Sequence, residues 1–245
     1  MNTKNSRSPD PSGGLSWAKL TAGTLIKRYK RFLADVRLKN NRVVTAHCPN
    51  SGAMLTCSEP GRPVYLSRHD DPGRKLKFTW EMIDMPDSLV GVNTQVPNRL
   101  VKRAVEAGVV GPLAGYDTVT PEVRVGERSR LDLLLTATNR PPCYVEVKNC
   151  TLVIEGTACF PDAVTDRGRK HLDELMALVA AQNRCVMFFL IQRMDAVSFR
   201  PADHIDPAYG KALRKAVQKG VEVMAWDVAM DLKGIALNRP LVCRL

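Results

Sequence analysis

The sequence predicts an α+β chain of two domains, a small closed β-barrel followed by a mixed sheet flanked by helices. Three observations carry this. Residues 19–95 hold five apolar, turn-bounded runs and almost no helical periodicity. Residues 96–245 alternate helical and strand patterns in the order α-β-β-β-α-β-α-β, which calls for a sheet covered on both faces. Between the patterns of the second half sits an aliphatic hairpin interrupted by charge.

Residues 1–18 are rich in Ser, Pro, Gly and Asn, cannot build a core, and are expected to be a disordered tail. The barrel strands are expected at Gly23–Leu38, Val43–His47, Pro63–Arg68, Leu76–Ile83 and Leu89–Asn93. Segments such as Pro49-Asn50-Ser51-Gly52 and Asp70-Asp71-Pro72-Gly73 separate them. Five strands in such a length suit an OB-type barrel, whose groove can hold a nucleic-acid strand. Two segments interleave cations with aromatics: Lys27, Arg28, Lys30 and Arg31 around Tyr29 and Phe32, and Arg74, Lys75 and Lys77 beside Phe78 and Trp80. The cations are read as phosphate contacts and Phe32, Phe78 and Trp80 as barrel filling.

In the second domain, Asn98–Ala107 has helical spacing, with Leu100, Val101, Ala104 and Val105 on one side and Gly108 as a stop. A strand at Glu122–Val125 and the charged hairpin follow. Next come a helix over Asp166–Gln182, a buried strand Cys185–Gln192, a helix near Tyr209–Lys219 and a last strand Val221–Trp226. The first turns of the Asp166 helix carry Arg167 and Lys170, cations that favour an anion docked there.

The hairpin carries the chemistry. In a strand over Arg130–Leu135, Arg130 and Asp132 share one side while Leu131, Leu133 and Leu135 take the other. In Tyr144–Lys148 the same parity groups Glu146 with Lys148. The turn formers Asn139, Pro141 and Pro142 join them as an antiparallel pair. Asp132 and Glu146 can then converge as oxygen ligands for Mg²⁺ or Mn²⁺, with Val147 in the metal set, while Lys148 serves a water or a phosphate oxygen. An Asp in an aliphatic strand needs a partner or a metal. A buried ion pair of Asp132 with Lys148 or Arg130 is the structural alternative. His171 and Glu122 are second-line candidates.

The net charge of +11 points to polyanions, and residues 19–95 carry 13 basic against 7 acidic residues. No stretch approaches the roughly 18 to 20 apolar residues of a membrane span. Seven Cys without metal spacing read as reduced thiols, so a cytoplasmic location without membrane association is expected.

From about Thr24 to Leu237 the chain resembles the sugar fermentation stimulation protein A family. The segments that carry this are Leu25–Val36, His47–Met54, Val92–Thr94, Ser129–Asp132, Cys143–Lys148 and Phe160–Thr165 running on to Arg167, Gly168 and Lys170–Leu172. The resemblance implies an N-terminal OB-like domain and a C-terminal domain of the PD-(D/E)xK nuclease type, with boundaries near residues 19–95 and 96–245. It implies DNA binding and a link by name to sugar metabolism genes. In that nuclease superfamily the motif acids bind a divalent metal and the Lys serves the attacking water, which fall here on Asp132, Glu146 and Lys148. Many relatives add a Glu from the first helix; here only Glu106 lies on it, and Glu122 is the substitute. Cleavage of DNA and DNA binding without catalysis are both consistent with these residues, as is RNA in place of DNA. Oligomeric state and target are not encoded legibly.

Overall fold

The computed structural model describes residues 13–126 and 129–245. Most of the expected tail lies outside the described residues, but its end does not behave as a tail. Leu15–Ser16 forms strand β1, pairing Leu15 with Ile235. Leu15 is buried in the second domain's core, and the Trp17 indole donates to the Asp231 carbonyl at 2.9 Å. A two-residue alternation is too short a signal to be read from sequence.

The barrel comprises β2 (Leu20–Tyr29), β3 (Leu33–Leu38), β4 (Val43–His47), β5 (Pro63–Arg68) and β6 (Phe78–Asp84), with β7 (Leu89–Gly91) appended to β6. Strands β2 to β4 form successive hairpins, β5 returns to β2, and a parallel pairing of β6 with β4, Ala46 opposite Phe78, closes the barrel. The run expected as one strand, Gly23–Leu38, is a hairpin. Lys30 and Arg31 turn the chain at φ 46° and 63°, values costly for side-chain-bearing residues. No Gly, Asn or Asp marks that turn, so the pattern looked continuous. Leu25, Val36, Leu66 and Trp80 fill the barrel, and the Trp80 Nε1–H donates to the Met82 carbonyl at 2.9 Å. Phe78 and Trp80 are buried as expected, whereas Phe32, at the hairpin tip, is exposed.

The second domain is built on a seven-stranded mixed sheet in the order β1-β16-β15-β13-β10-β9-β8. Its further strands are β8 (Thr118–Val125), β9 (Ser129–Ala137), β10 (Arg140–Cys150), β13 (Arg184–Ile191), β15 (Glu222–Met230) and β16 (Gly234–Pro240). β13 lies parallel to both β10 and β15 and is buried on both faces, which is why it reads as an uninterrupted apolar run. Helix α1 (Val96–Glu106) covers one face, packing Leu100, Val101 and Ala104 near Leu133, Val145 and Phe188. Helices α2 (Asp166–Ala180) and α3 (Pro207–Gln218) cover the other, with Leu172, Leu175 and Leu213 near Met187, Phe189 and Ile191. Side-chain caps start both: Thr165 Oγ accepts from Gly168 N–H at 3.0 Å, and Asp206 from Tyr209 N–H at 2.9 Å. A small sheet of β11 (Leu152–Ile154), β12 (Thr157–Phe160), β14 (Ser198–Pro201) and β17 (Val242–Cys243) extends beyond the sequence reading. Its strands are two to four residues long, below the length at which alternation is legible. No described helix is long and apolar enough to cross a membrane.

Six cysteines are buried and Cys243 is half-buried; burial pushes the Cys57 thiol up to about 12 and Cys143 to about 11.

Barrel and sheet are welded by buried polar contacts. The fully buried Gln192 amide donates to Asn93 O at 3.2 Å and to Asn149 Oδ1 at 2.7 Å, while the Gln192 backbone carbonyl accepts from Gly91 N–H at 2.8 Å. Arg193 Nη1 donates to Thr56 Oγ1 at 3.1 Å and Thr151 O at 2.9 Å, and Asp162 Oδ2 accepts from Met54 N–H at 2.9 Å. Truncating Gln192 strands the Asn149 and Asn93 acceptors in the interior. Gln192→Ala should therefore cost about 1–3 kcal/mol, read as a lower urea midpoint at unchanged slope. An unchanged midpoint would show that the weld contributes nothing.

Candidate active site

Strands β9 and β10 pair from Ala137 opposite Arg140 down to Leu133 opposite Val145. The next rung would place Asp132 opposite Glu146, and there the ladder stops. Instead of a strand carbonyl, Asp132 Oδ2 accepts the Val147 N–H at 2.8 Å. A carboxylate inserted into a ladder satisfies the backbone donor while holding the two strands apart. On the other side of β9 the pairing with β8 also skips this rung: Glu122, opposite Asp132, sits at φ 56° between paired neighbours. Its side chain is exposed and it joins no metal-ligating cluster among the described residues.

Asp132 and Glu146 thus meet where the sheet opens. The other Asp132 oxygen accepts from the Asn98 amide on α1 at 2.5 Å. Burial, and then the Glu146 charge, push the Asp132 carboxyl up to about 7, against the stabilising Val147 N–H and Lys148 charge. Glu146 is almost fully buried, which by itself would raise its carboxyl. The hydrogen bond from His171 and the Lys148 ammonium outweigh that and hold it below the usual range. Glu146 Oε1 receives both Lys148 Nζ, at 2.5 Å, and His171 Nδ1. His171 Nε2 accepts from Arg167 Nε at 3.5 Å, a donor order that puts the ring proton on Nδ1. Glu146 Oε2 is buried without a partner among the described residues.

Asp132, Glu146, Val147 and Lys148 therefore come together, and His171 lies at the centre of the group. The ion-pair alternative for Asp132 is not formed among the described residues: Lys148 bonds Glu146 instead, and no salt bridge joins Asp132 to Arg130. Glu106 of α1 pairs with Lys102 on the surface, away from the site. Asn98, which the sequence reading missed, is the contribution of α1. An amide in a first helical turn after a Pro carries no sequence signal of its own.

Among the cations, Arg130 is exposed and stands opposite Arg124 on β8, two residues along β9 from Asp132. Arg167 and Lys170 are exposed on α2, Lys170 4.0 Å from Glu174. On the barrel, Lys30, Arg31 and Lys75 are exposed. Lys27 lies 5.2 Å over the Tyr29 ring and 3.9 Å from Asp35. Arg74 donates to Thr79 Oγ1 at 3.1 Å, and Lys77 holds the Asp71 carbonyl at 2.7 Å. Arg28 departs from the expectation of a phosphate contact. Its guanidinium donates to four carbonyls, those of Arg31, Asn50, Gly52 and Ala53, and so clamps the loop after β4.

The sugar fermentation stimulation protein RE domain matches residues 95–234, and the SfsA N-terminal OB domain matches residues 26–92. The chain belongs to the sugar fermentation stimulation protein family. Family homologs include those of Geotalea uraniireducens, 52% identical over 92% of this chain and 97% of that one, and Geobacter sulfurreducens, 53% identical over 91% and 95%. Of solved structures, Pyrococcus furiosus SfsA in complex with Ca²⁺ is similar at a TM-score of 0.86 and 25% identity, covering 94% of this chain and 98% of that chain.

Two converging carboxylates, one with a buried orphan oxygen, fit a hard divalent cation that completes its shell with water. The His171 ring is spent on Glu146 and Arg167, so Asp132 and Glu146 offer carboxylate oxygens alone, a donor set that suits a hard cation. Because Asp132 titrates near 7, ligation requires loss of a proton that the apo carboxyl keeps at mildly acidic pH. Saturating Mg²⁺ or Ca²⁺ should therefore raise the melting temperature clearly at about pH 8 and little at about pH 5.5. Asp132→Asn should abolish the shift at both. A shift of equal size at both pH values would place the cation elsewhere.

Proposed function

We propose that this chain is a sequence-nonspecific DNA-binding protein whose second domain cleaves phosphodiester bonds with the help of Mg²⁺ or Mn²⁺. The observation that carries this is the broken rung, where Asp132 and Glu146 share a partly dry site with the Lys148 amine and one carboxylate oxygen has no partner. The Pyrococcus relative was solved in complex with Ca²⁺, which supports divalent-ion binding by this fold. When bound, that ion would supply Lewis-acid polarisation of a phosphoryl oxygen and would neutralise the paired carboxylates.

The chain's own groups do the rest. Asn98 and the Val147 N–H fix Asp132, and His171 fixes Glu146 through Oε1, so Oε2 is the Glu146 oxygen that would hold the ion. Lys148, released from Glu146 Oε1, orients the attacking water and, as an ammonium, stabilises the negative charge that develops on it as the water's proton passes to bulk solvent. Arg130 and Arg167 hold flanking phosphates. The excess of positive charge on the barrel supplies affinity that does not depend on base sequence, and no base-reading helix is recognised among the described elements.

A second reading, a DNA-binding regulator of sugar metabolism genes without turnover, is favoured by one observation: α1 offers an amide, Asn98, and no acid to the site.

The discriminating measurement is nicking of supercoiled plasmid with and without Mg²⁺. The enzymatic reading expects nicking abolished by EDTA and reduced about 10²–10⁴-fold in Lys148→Ala. DNA affinity of the same variant should stay within about threefold and fall steeply with salt. Metal-independent binding with no nicking in wild type would establish the second reading instead.

A further inference from the structure

Between barrel and sheet lies a cleft of about 360 Å³ that the carboxylate site does not use. Its barrel wall is formed by Arg31, at the β2–β3 turn, and by Ser51 in the loop after β4. Its opposite wall includes Asn149, Phe160 and Val164. Asn149 follows Lys148 on β10 with its side chain on the opposite face, and Thr165, the cap of the helix that carries His171, also lines the cleft, so the cleft runs along the strand end and helix start that hold the carboxylate site.

These walls are prepared in advance. Arg31 is exposed, and its backbone is fixed by the Arg28 Nε–H donating to its carbonyl at 3.0 Å. Gln192 occupies the Asn149 Oδ1, leaving the amide N–H groups of Asn149 as donors. The Phe160 ring is braced from behind by Tyr209, edge-on at 5.2 Å, and by Phe189 at 5.4 Å. The single acid on the wall, Asp162, is turned to the Met54 N–H. A cation, amide donors and a braced aromatic face are what a nucleic-acid strand uses for phosphate contact and base stacking.

The same welds set the width. Gln192 through Asn93, Arg193 through Thr56 and Asp162 through Met54 tie the two walls together by buried or half-buried hydrogen bonds, so the cleft cannot open by a hinge without breaking them. Its volume lies at the low end of the roughly 300–1,000 Å³ of small-ligand sites, room for one nucleotide and not for two paired strands.

We propose that the cleft receives one unpaired nucleotide of a DNA strand, which makes the substrate class of the carboxylate site single-stranded DNA or a single-stranded end. This rests on the nucleic-acid reading above and names the form of polymer. Phosphate meets Arg31, the base stacks on Phe160, and the chain continues past Lys148.

The test is fluorescence anisotropy of the full-length protein in EDTA, with a fluorescein-labelled oligothymidylate and with a labelled duplex of the same length. Wild type should prefer the single strand by about tenfold or more. Arg31→Ala should weaken single-strand binding about tenfold, lower the slope of log K against log salt by about 0.7, and weaken duplex binding several-fold less. Phe160→Leu, which keeps an apolar group over Tyr209, should lower single-strand affinity about tenfold more than duplex affinity, a difference that lost packing against Tyr209 and Phe189 would not produce. Equal affinity for both forms, or equal losses in Arg31→Ala, would overturn the assignment while DNA binding stands. Tighter binding of oligouridylate would replace DNA by RNA and overturn it as stated. Binding of no polymer would remove the nucleic-acid reading and the cleft assignment together.

Discussion

Two carboxylates on one rung of a sheet, in partly dry surroundings, are the constraint around which the second domain is arranged. Left bare, they would repel and one would stay protonated. The fold answers each separately. Asp132 is given a backbone N–H in place of a strand carbonyl and an amide from α1; Glu146 is given an imidazole and an ammonium on a single oxygen. The consequence is asymmetry: one carboxyl is raised to about 7 and the other held low, and the two oxygens of Glu146 are inequivalent. Helices on opposite faces of the sheet contribute to the group, so its geometry depends on both hydrophobic cores at once.

Much of this was legible in the sequence because period-two alternation fixes side-chain faces. Parity alone put Asp132 on the side of Arg130, and Glu146 with Lys148, and the aliphatic alternates fixed which side was core. Helices α1 to α3 were readable from their 3.6-residue stripes. Features that depend on contacts across long separations were not readable. The Asn98 amide reaches Asp132 over 34 positions, and Gln192 reaches Asn93 over 99, with nothing in either local sequence to announce it. The β2–β3 turn failed for a different reason. Lys30 and Arg31 adopt left-handed backbone without the residues that make such turns cheap, so composition hid a real break.

Arg28 shows the same limit for charge. Interleaving cations with aromatics marks a basic face, but it cannot separate a guanidinium free for solvent from one spent on carbonyls. Here the fork geometry of arginine is used internally, to hold a loop that forms one wall of the interdomain cleft. A cation can therefore serve polyanion binding indirectly, by shaping the surface that a neighbour such as Arg31 presents.

The burial of the cysteines has an experimental use. Thiols whose burial holds them far less acidic than usual are poor nucleophiles at neutral pH, and become ordinary ones once solvent reaches them. Because such sulfurs lie in the barrel and on both sides of the large sheet, the rate at which each is alkylated reports how often its own neighbourhood breathes. The native side chains thus form a distributed set of clocks, one able to tell whether barrel and sheet come apart together or in turn.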